Sequence, residues 1–485
     1  MVAATALVLA ALSASVAQAQ IAPVRRHLVE RQAAASSSAS TAAQTATRSA
    51  TRTSAPATAT STPTVTGTVA SSPLASLSLI GTATTSEATQ ALPSTFAAGA
   101  TPPVKNAPKL PSIANLNPAN YPALDKTPPT DSAEVQQWIA EVDLSQAPDI
   151  PITGLGGCTN STNSQSVSDA AANGWWTCGG HTRATDITYC PNKGDWGASF
   201  DDGPSPYTPR LLNLLQQQNL QSTFFIVGSR AISRPEMLQT EYMLGHQLSV
   251  HTWAHPALTT LTNEQIVAEL GWSKKVIQDI TGVTPNTMRP PYGDIDDRVR
   301  YIALRMGLRP IIWTSYNGQT FDTRDWQIGG GVVNATTAYT NFETFLGTAA
   351  TSLSTGFIVL AHDLYQQSVD LAVDYILPNV INAGQLKIQT IADCLGEGLA
   401  NAYIETANNS TVNPTETSST VVGASGTGFV SNVAVPLSTS GSSSGSKTKS
   451  GSNSQATGGQ NGAGSLDVSI GAALASSFGL AAYLA

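Results

Sequence analysis

Apolar and polar positions change rhythm several times along the chain, and each change marks a boundary. Residues 2 to 16 are almost wholly small or apolar, and Ala17-Gln18-Ala19 offers a small-x-small cleavage point before Gln20. That pattern makes residues 1–19 a secretory signal peptide, although no Lys or Arg stands near Met1. From about residue 33 to 105 the sequence is mostly Ser, Thr, Ala and Pro with scarcely an aromatic. Such a stretch buries too little apolar surface to offset its ordering entropy. Residues 20–107 are therefore expected to form a disordered, O-glycosylated stalk. Residues 406–461 repeat that composition with more Gly and predict a second flexible linker.

Between these ends the periodicity is that of a packed domain. Asp131-Ser132-Ala133-Glu134 resembles a capping box, and Val135, Trp138, Ile139 and Val142 then share one helical face, closed by Pro148. This helix is expected to pack on the outside of the domain, within an N-terminal extension over residues 108–157. Further on, short β-branched or aromatic runs at 197–200, 223–227, 247–250, 310–313, 357–361 and 386–391 read as strands. Helical patterns separate them: Pro209 opens one with Thr208 as its cap, Thr262 and Gln265 form a capping box, and Gly245 and Gly282 stand at helix ends. Alternating strand and helix imply parallel strands and an α/β fold. Polar residues follow the strands, as in barrel enzymes, but convincing strands number fewer than eight. A distorted, incomplete (β/α) barrel over residues 158–405 is the expected architecture, flanked by disordered Ser/Thr-rich segments.

Composition narrows the partners. Only 12% of the 485 residues are charged, and a net charge of -8 without a basic run excludes nucleic acid and anionic lipid headgroups. The four cysteines show no C-x-x-C spacing, and an even number in a secreted chain argues for disulfides rather than a metal cluster. Of the three connectivities, Cys158 with Cys178 and Cys190 with Cys394 is favoured, because the second bond would pin the start of the domain to its end. Sequons at Asn160, Asn334, Asn408 and Asn409 permit N-glycosylation. The apolar tail from Leu466 to Ala485 has no basic stop-transfer flank. Residues 462–485 therefore resemble a glycolipid-anchor propeptide with Asn461 as attachment residue, Gly458 or Gly459 being the alternatives because the spacer is short and Asp467 interrupts the tail, and a transmembrane helix is the rival.

Two segments carry candidate chemistry. Ser199-Phe200-Asp201-Asp202-Gly203-Pro204 and His251-Thr252-Trp253-Ala254-His255 supply two imidazoles and a carboxylate for one divalent ion, with a second carboxylate to spare. Each has a bland counterpart, since D-D-G-P is good turn chemistry and a histidine pair is often structural. At i, i+4 the two imidazoles would share one side of a single helical turn. Thr252 stands where a zincin protease needs Glu, which disfavours a metallopeptidase. An Asp with two His also matches the facial triad of iron oxygenases. Trp175 and Trp176 stack on sugar rings or pack under a disulfide, whereas Trp138, Trp272, His181 and His246 read as structural.

With Arg289-Pro290-Pro291-Tyr292-Gly293, Asp322-Thr323-Arg324-Asp325-Trp326 and Leu360-Ala361-His362, these segments make five motifs in order over most of residues 190–395. The set resembles the NodB-homology polysaccharide deacetylases, carbohydrate esterase family four, with Ser199 where Thr is commoner. The stalk and tail further resemble fungal cell-wall chitin deacetylases. The resemblance implies Asp201 as general base, Arg289 as its cationic partner, and Asp202, His251 and His255 as ligands of one divalent ion, zinc or alternatively cobalt. It implies His362 as general acid oriented by Asp325, the Tyr292 amide facing the oxyanion, and Trp326 and Leu360 lining the acetyl pocket. The implied reaction removes N-acetyl groups from chitin, giving chitosan and acetate, in a secreted monomer anchored at the cell wall and outer plasma membrane. Two alternatives stand beside it: a wall mannoprotein that binds polysaccharide without turnover, and a same-fold deacetylase acting on another glycan such as acetylated xylan.

Overall fold

The computed structural model describes residues 69–82 and 88–407. The signal peptide, Asn408, Asn409, Asn461, nearly all of the second linker and the apolar tail lie outside the described residues. Among the described residues ten strands follow in order: β1 (Asp195–Gly197), β2 (Ser199–Asp201), β3 (Thr223–Ile226), β4 (Gln247–Val250), β5 (Thr287–Met288), β6 (Arg309–Pro310), β7 (Ser315–Tyr316), β8 (Gln319–Thr320), β9 (Phe357–Ile358) and β10 (Lys387–Gln389). Five form a parallel sheet in the order β2-β3-β4-β5-β6, three form a second in the order β10-β1-β9, and β7 pairs with β8 as an antiparallel hairpin.

The two parallel sheets share one run of chain, because β1 and β2 are separated only by Ala198. Its N–H donates to the Gln389 carbonyl at 3.0 Å and its carbonyl accepts from Thr223 N–H at 2.8 Å, so this residue passes the strand from one sheet to the other. Isolated parallel bridges join Asp201 to His362 and Asp322 to Leu360. The result is the expected incomplete barrel. Every residue of β1 to β4 is buried, as in parallel sheets covered on both faces, so the polar residues that alternate with apolar ones in β2 (Ser199, Asp201) and β4 (Gln247, Ser249) are buried too. β5 has only two residues between Pro285 and Pro290, too short for any periodicity to announce it.

The helix Ala133–Val142 starts one residue later than the capping-box pattern suggests: the Ser132 hydroxyl accepts from the Val135 N–H at 3.3 Å. Its Trp138 packs on Gly271 of the helix Asn263–Thr281, where any Cβ would collide with the indole. Thr262 and Gln265 make the reciprocal cap of that helix, and Gly282 closes it at φ 85. Thr208 differs from expectation. It lies inside its helix, and its hydroxyl accepts from the Ser205 N–H at 2.8 Å and donates to Asp363.

Part of the expected disordered stalk is built into the domain. Leu77, Ile80 and Val104 are buried, Ser72 N–H donates to the Asp374 carbonyl at 3.0 Å, and Gly99 N–H donates to the Leu110 carbonyl at 2.8 Å. A stretch with so few apolar residues forms no core of its own, but Leu77, Ile80 and Val104 join the core of the domain. The disordered reading therefore does not hold for residues 69–82 and 88–107.

Both favoured disulfides are present, Cys158–Cys178 and Cys190–Cys394. The second is buried and joins residues 204 apart, from just before β1 to just after β10. Replacing Cys190 and Cys394 by Ser is expected to lower unfolding stability by about 5 kcal/mol in the chain-entropy model, read as a shifted denaturant midpoint. An unmoved midpoint would show that this link does not constrain the unfolded chain.

Candidate active site

The chemistry-bearing side chains lie where parallel strands end. Asp201 is the last residue of β2, His251 follows β4, Arg289 follows β5, and His362 lies four residues beyond β9. Asp201 Oδ1 is 2.6 Å from Arg289 Nη1, which also donates to Ser199 Oγ at 3.1 Å. Both members of this ion pair are buried, and the guanidinium lies 3.9 Å over the Phe225 ring. Burial pulls the Arg289 pKa down from its usual value, against the opposing charge of Asp201.

Asp202 adopts a left-handed conformation, φ 79, so the chain turns directly after Asp201. Its Oδ1 lies 3.3 Å from His251 Nε2 and 3.0 Å from His255 Nε2. Burial pushes this carboxyl up, but the His255 and His251 rings and Arg230 outweigh it and hold it well below the ordinary carboxylate range. His251 Nδ1 is 2.8 Å from the Arg289 carbonyl, an acceptor only, so Nδ1 carries a proton and Nε2 is the ring nitrogen that faces Asp202. Burial lowers the His255 pKa against the opposing charge of Asp202.

One carboxylate oxygen and two imidazole nitrogens thus lie within 4.8 Å of one another. Asp202 Oδ1 is buried with no hydrogen donor aligned on it. A buried anionic oxygen without a donor, facing two imidazole nitrogens, is what a divalent cation satisfies, so these residues fit the expected ion.

The two histidines do not share a helical turn as the spacing predicts. Residues 251–255 form a loop in which Thr252 (φ 65) and His255 (φ 60) are both left-handed. His255 N–H donates to Thr252 Oγ1 at 3.0 Å, and the Glu269 carboxylate accepts from the N–H groups of Trp253 and Ala254, each at 2.8 Å. This folding brings the two ring centroids to 4.9 Å.

On the opposite strand end, His362 Nδ1 lies 2.7 Å from Asp325 Oδ1, and its backbone N–H donates to Asp325 Oδ2 at 2.8 Å. Thr323 Oγ1 donates to the same carboxylate at 2.9 Å. Burial lowers the His362 pKa, but Asp325, then Asp202 and Asp201, outweigh it and raise it to about 10. Trp326 is half-buried with its ring centroid 6.5 Å from that of His362, and Leu360 is buried two residues before it. Tyr292 has φ 61 and is 40% exposed.

Of the residues read as structural, Trp272 and His246 are buried, and burial lowers the His246 pKa to about 3. Trp175 is buried with Nε1 donating to Asp294 at 2.9 Å, whereas half-buried Trp176 packs edge-on to Trp313 at 4.8 Å between centroids. Asn334 is exposed and caps the helix Ala335–Thr351; Asn160 is half-buried, with Nδ2 donating to the Leu155 carbonyl at 2.7 Å.

Residues 188–311 match the polysaccharide deacetylase family. Over 342 residues the chain is 58% identical to chitin deacetylase 1 of Cryptococcus neoformans, covering 70% of this chain and 72% of that protein. The chain belongs to the polysaccharide deacetylase family. It is also 33% identical over 308 residues to a chitin deacetylase of Amylomyces rouxii, covering 61% of this chain and 70% of the relative. Among solved structures, a chitin deacetylase from Colletotrichum lindemuthianum is 27% identical with a TM-score of 0.41, covering 47% of this chain and 99% of that one.

Three groups of this deacetylase site escape sequence reading. Arg230 Nη1 donates to the Asp202 carbonyl at 2.7 Å and stands 3.8 Å from its carboxylate. Glu269, which holds the histidine loop, left one sequence signal: a charge among Ile266, Val267 and Leu270 on a helix face that is otherwise apolar. Asp363 is fully buried, and its N–H donates to the Asp201 carbonyl at 3.1 Å, tying the His362 strand end to the Asp201 strand end.

Proposed function

We propose that this deacetylase removes N-acetyl groups from chitin by metal-dependent hydrolysis. One observation carries the reading: His251 Nε2 lies 3.9 Å from Asp201 Oδ2 and 3.3 Å from Asp202 Oδ1, so an Arg289-paired carboxylate and an ion-binding carboxylate border the same point. Asp202, His251 and His255 would hold a divalent cation, for which zinc suits the donor set with cobalt as a substitute, and when bound it would supply Lewis-acid polarisation of an acetamide carbonyl and a more acidic water.

The chain's own residues then divide the proton work. Asp201 takes a proton from the attacking water, with Arg289 fixing its carboxylate. The Tyr292 amide is the candidate donor to the oxygen that becomes negative at the tetrahedral stage. When the C–N bond breaks, the amine leaves with a proton supplied by His362, and Asp325 keeps that imidazole oriented through Nδ1. Trp326 and Leu360 border the acetyl group on the His362 side.

A general acid works only while protonated. The raised His362 pKa keeps it so at neutral pH, and activity falls as pH climbs through the His362 value, below about 10 once a cation offsets the nearby carboxylates. Asp325→Asn removes the largest raising influence. The alkaline limb of kcat is expected to move to lower pH in that variant, and a limb that stays in place would remove His362 from the acid role.

Chitin as substrate is supported by the Cryptococcus and Amylomyces relatives, both chitin deacetylases. Acetate release measured across chitin oligomers and acetylated xylan tests it: turnover of the oligomers is expected, and turnover of xylan alone contradicts it. Location is part of the proposal. The signal-like residues 1–19 and the anchor-like residues 462–485 support a secreted protein held at the outer plasma membrane and wall. Among the described residues no helix is long and apolar enough to cross a membrane.

A further inference from the structure

Tyr292 brings a side chain to the site as well as an amide. Its hydroxyl lies 3.2 Å from His255 Nδ1, with ring centroids 4.6 Å apart and planes at 68°. The two imidazoles of the ion site are thus supported differently: His251 Nδ1 rests on a backbone carbonyl buried in the strand layer, and His255 Nδ1 meets a phenol on a half-open surface. For His255 Nε2 to offer its lone pair beside Asp202, Nδ1 must carry the proton and donate it to the Tyr292 oxygen. That bond sets both the tautomer and the angle of the ring. His255 needs such help, because its own backbone is left-handed at φ 60 in a loop without regular structure.

The turn that carries Tyr292 is itself braced. Gly293 lies against the Trp176 indole, where a Cβ would collide, and Trp176 N–H donates to the Ile295 carbonyl at 2.9 Å. The Asp294 carboxylate accepts from Trp175 Nε1 (2.9 Å), Thr177 Oγ1 (2.6 Å), Thr259 N–H (2.9 Å) and Thr259 Oγ1 (2.7 Å). One carboxylate therefore links three pieces: the loop closed by Cys158–Cys178, the segment that follows His255, and the Tyr292 turn.

We propose that Tyr292 is a positioning residue for the ion, its hydroxyl holding His255 with Nε2 toward Asp202 and thereby setting how tightly the cation is kept. This rests on the Asp202-His251-His255 reading above.

The test titrates the purified full chain and Tyr292→Phe with zinc in competition with a chromophoric chelator. Tyr292→Phe is expected to bind zinc roughly 10–100-fold more weakly. Its acetate release is expected to recover when free zinc exceeds the new dissociation constant. Phe deletes one oxygen from a residue already 40% exposed, and a thermal melt in excess zinc checks that the fold is kept. Equal zinc affinity overturns the positioning role, even if acetate release falls, because the hydroxyl would then act on substrate alone. If the wild-type chain itself binds no zinc, the ion-site reading fails first and the wild-type curve shows it.

Discussion

Asp201→Asn is expected to lower kcat for acetate release about 10²–10⁴-fold while leaving the zinc affinity of the chain nearly unchanged. The side chain keeps its shape and loses the ability to take a proton from water. Its Oδ1 is 2.6 Å from Arg289 Nη1 inside a fully buried pair, so the substitution also leaves a guanidinium without its counterion. Breaking a buried pair by removing one partner costs about 3–5 kcal/mol, and a lower melting temperature should accompany the loss of turnover. The two effects separate by assaying well below the melting transition: a base removed lowers turnover at every temperature, whereas a fold weakened lowers it only near unfolding. Turnover within a few-fold of wild type would show that another group takes the proton.

Asp202→Ala is expected to have an effect of similar size by a different route. The variant keeps Asp201, Arg289 and His362 but deletes the oxygen that lies 3.0 Å from His255 Nε2 and 3.3 Å from His251 Nε2. Two imidazoles alone hold a divalent cation weakly, and losing several kcal/mol of carbonyl polarisation corresponds to roughly 10³-fold or more in rate. Zinc content after dialysis should fall together with acetate release. In Asp201→Asn the zinc content should stay. Full zinc occupancy in Asp202→Ala would assign the carboxylate a different job.

How much of this was legible follows from which interactions are local. A carboxylate or imidazole directly after a β-run needs only the strand to be recognised, so Asp201, His251 and His362 could be placed at strand ends from sequence alone. The path between His251 and His255 could not. The i, i+4 spacing suggests a helical turn, but the turn is set by two left-handed residues and by Glu269, 16 residues beyond Trp253, and no periodicity encodes a distant acceptor. Likewise, D-D-G-P reads as turn chemistry, yet what splits Asp201 toward Arg289 and Asp202 toward the histidines is a bend at left-handed Asp202 directly after the strand. The stalk failed as a uniform segment for a related reason. Composition averages over residues, whereas Leu77, Ile80 and Val104 are each buried singly against a domain formed elsewhere in the chain. The Tyr292 hydroxyl was hidden inside a motif whose recognised part is its backbone.

The most direct measurement is acetate release from N-acetylglucosamine oligomers by the purified chain, followed through chelation and re-addition of zinc. Turnover that is lost with chelator, returns with zinc, and is absent from Asp201→Asn at the same zinc occupancy is the expected result. Turnover that persists without any divalent ion, or that Asp201→Asn retains, would contradict a site in which Asp202, His251 and His255 hold the cation and Asp201 takes the proton.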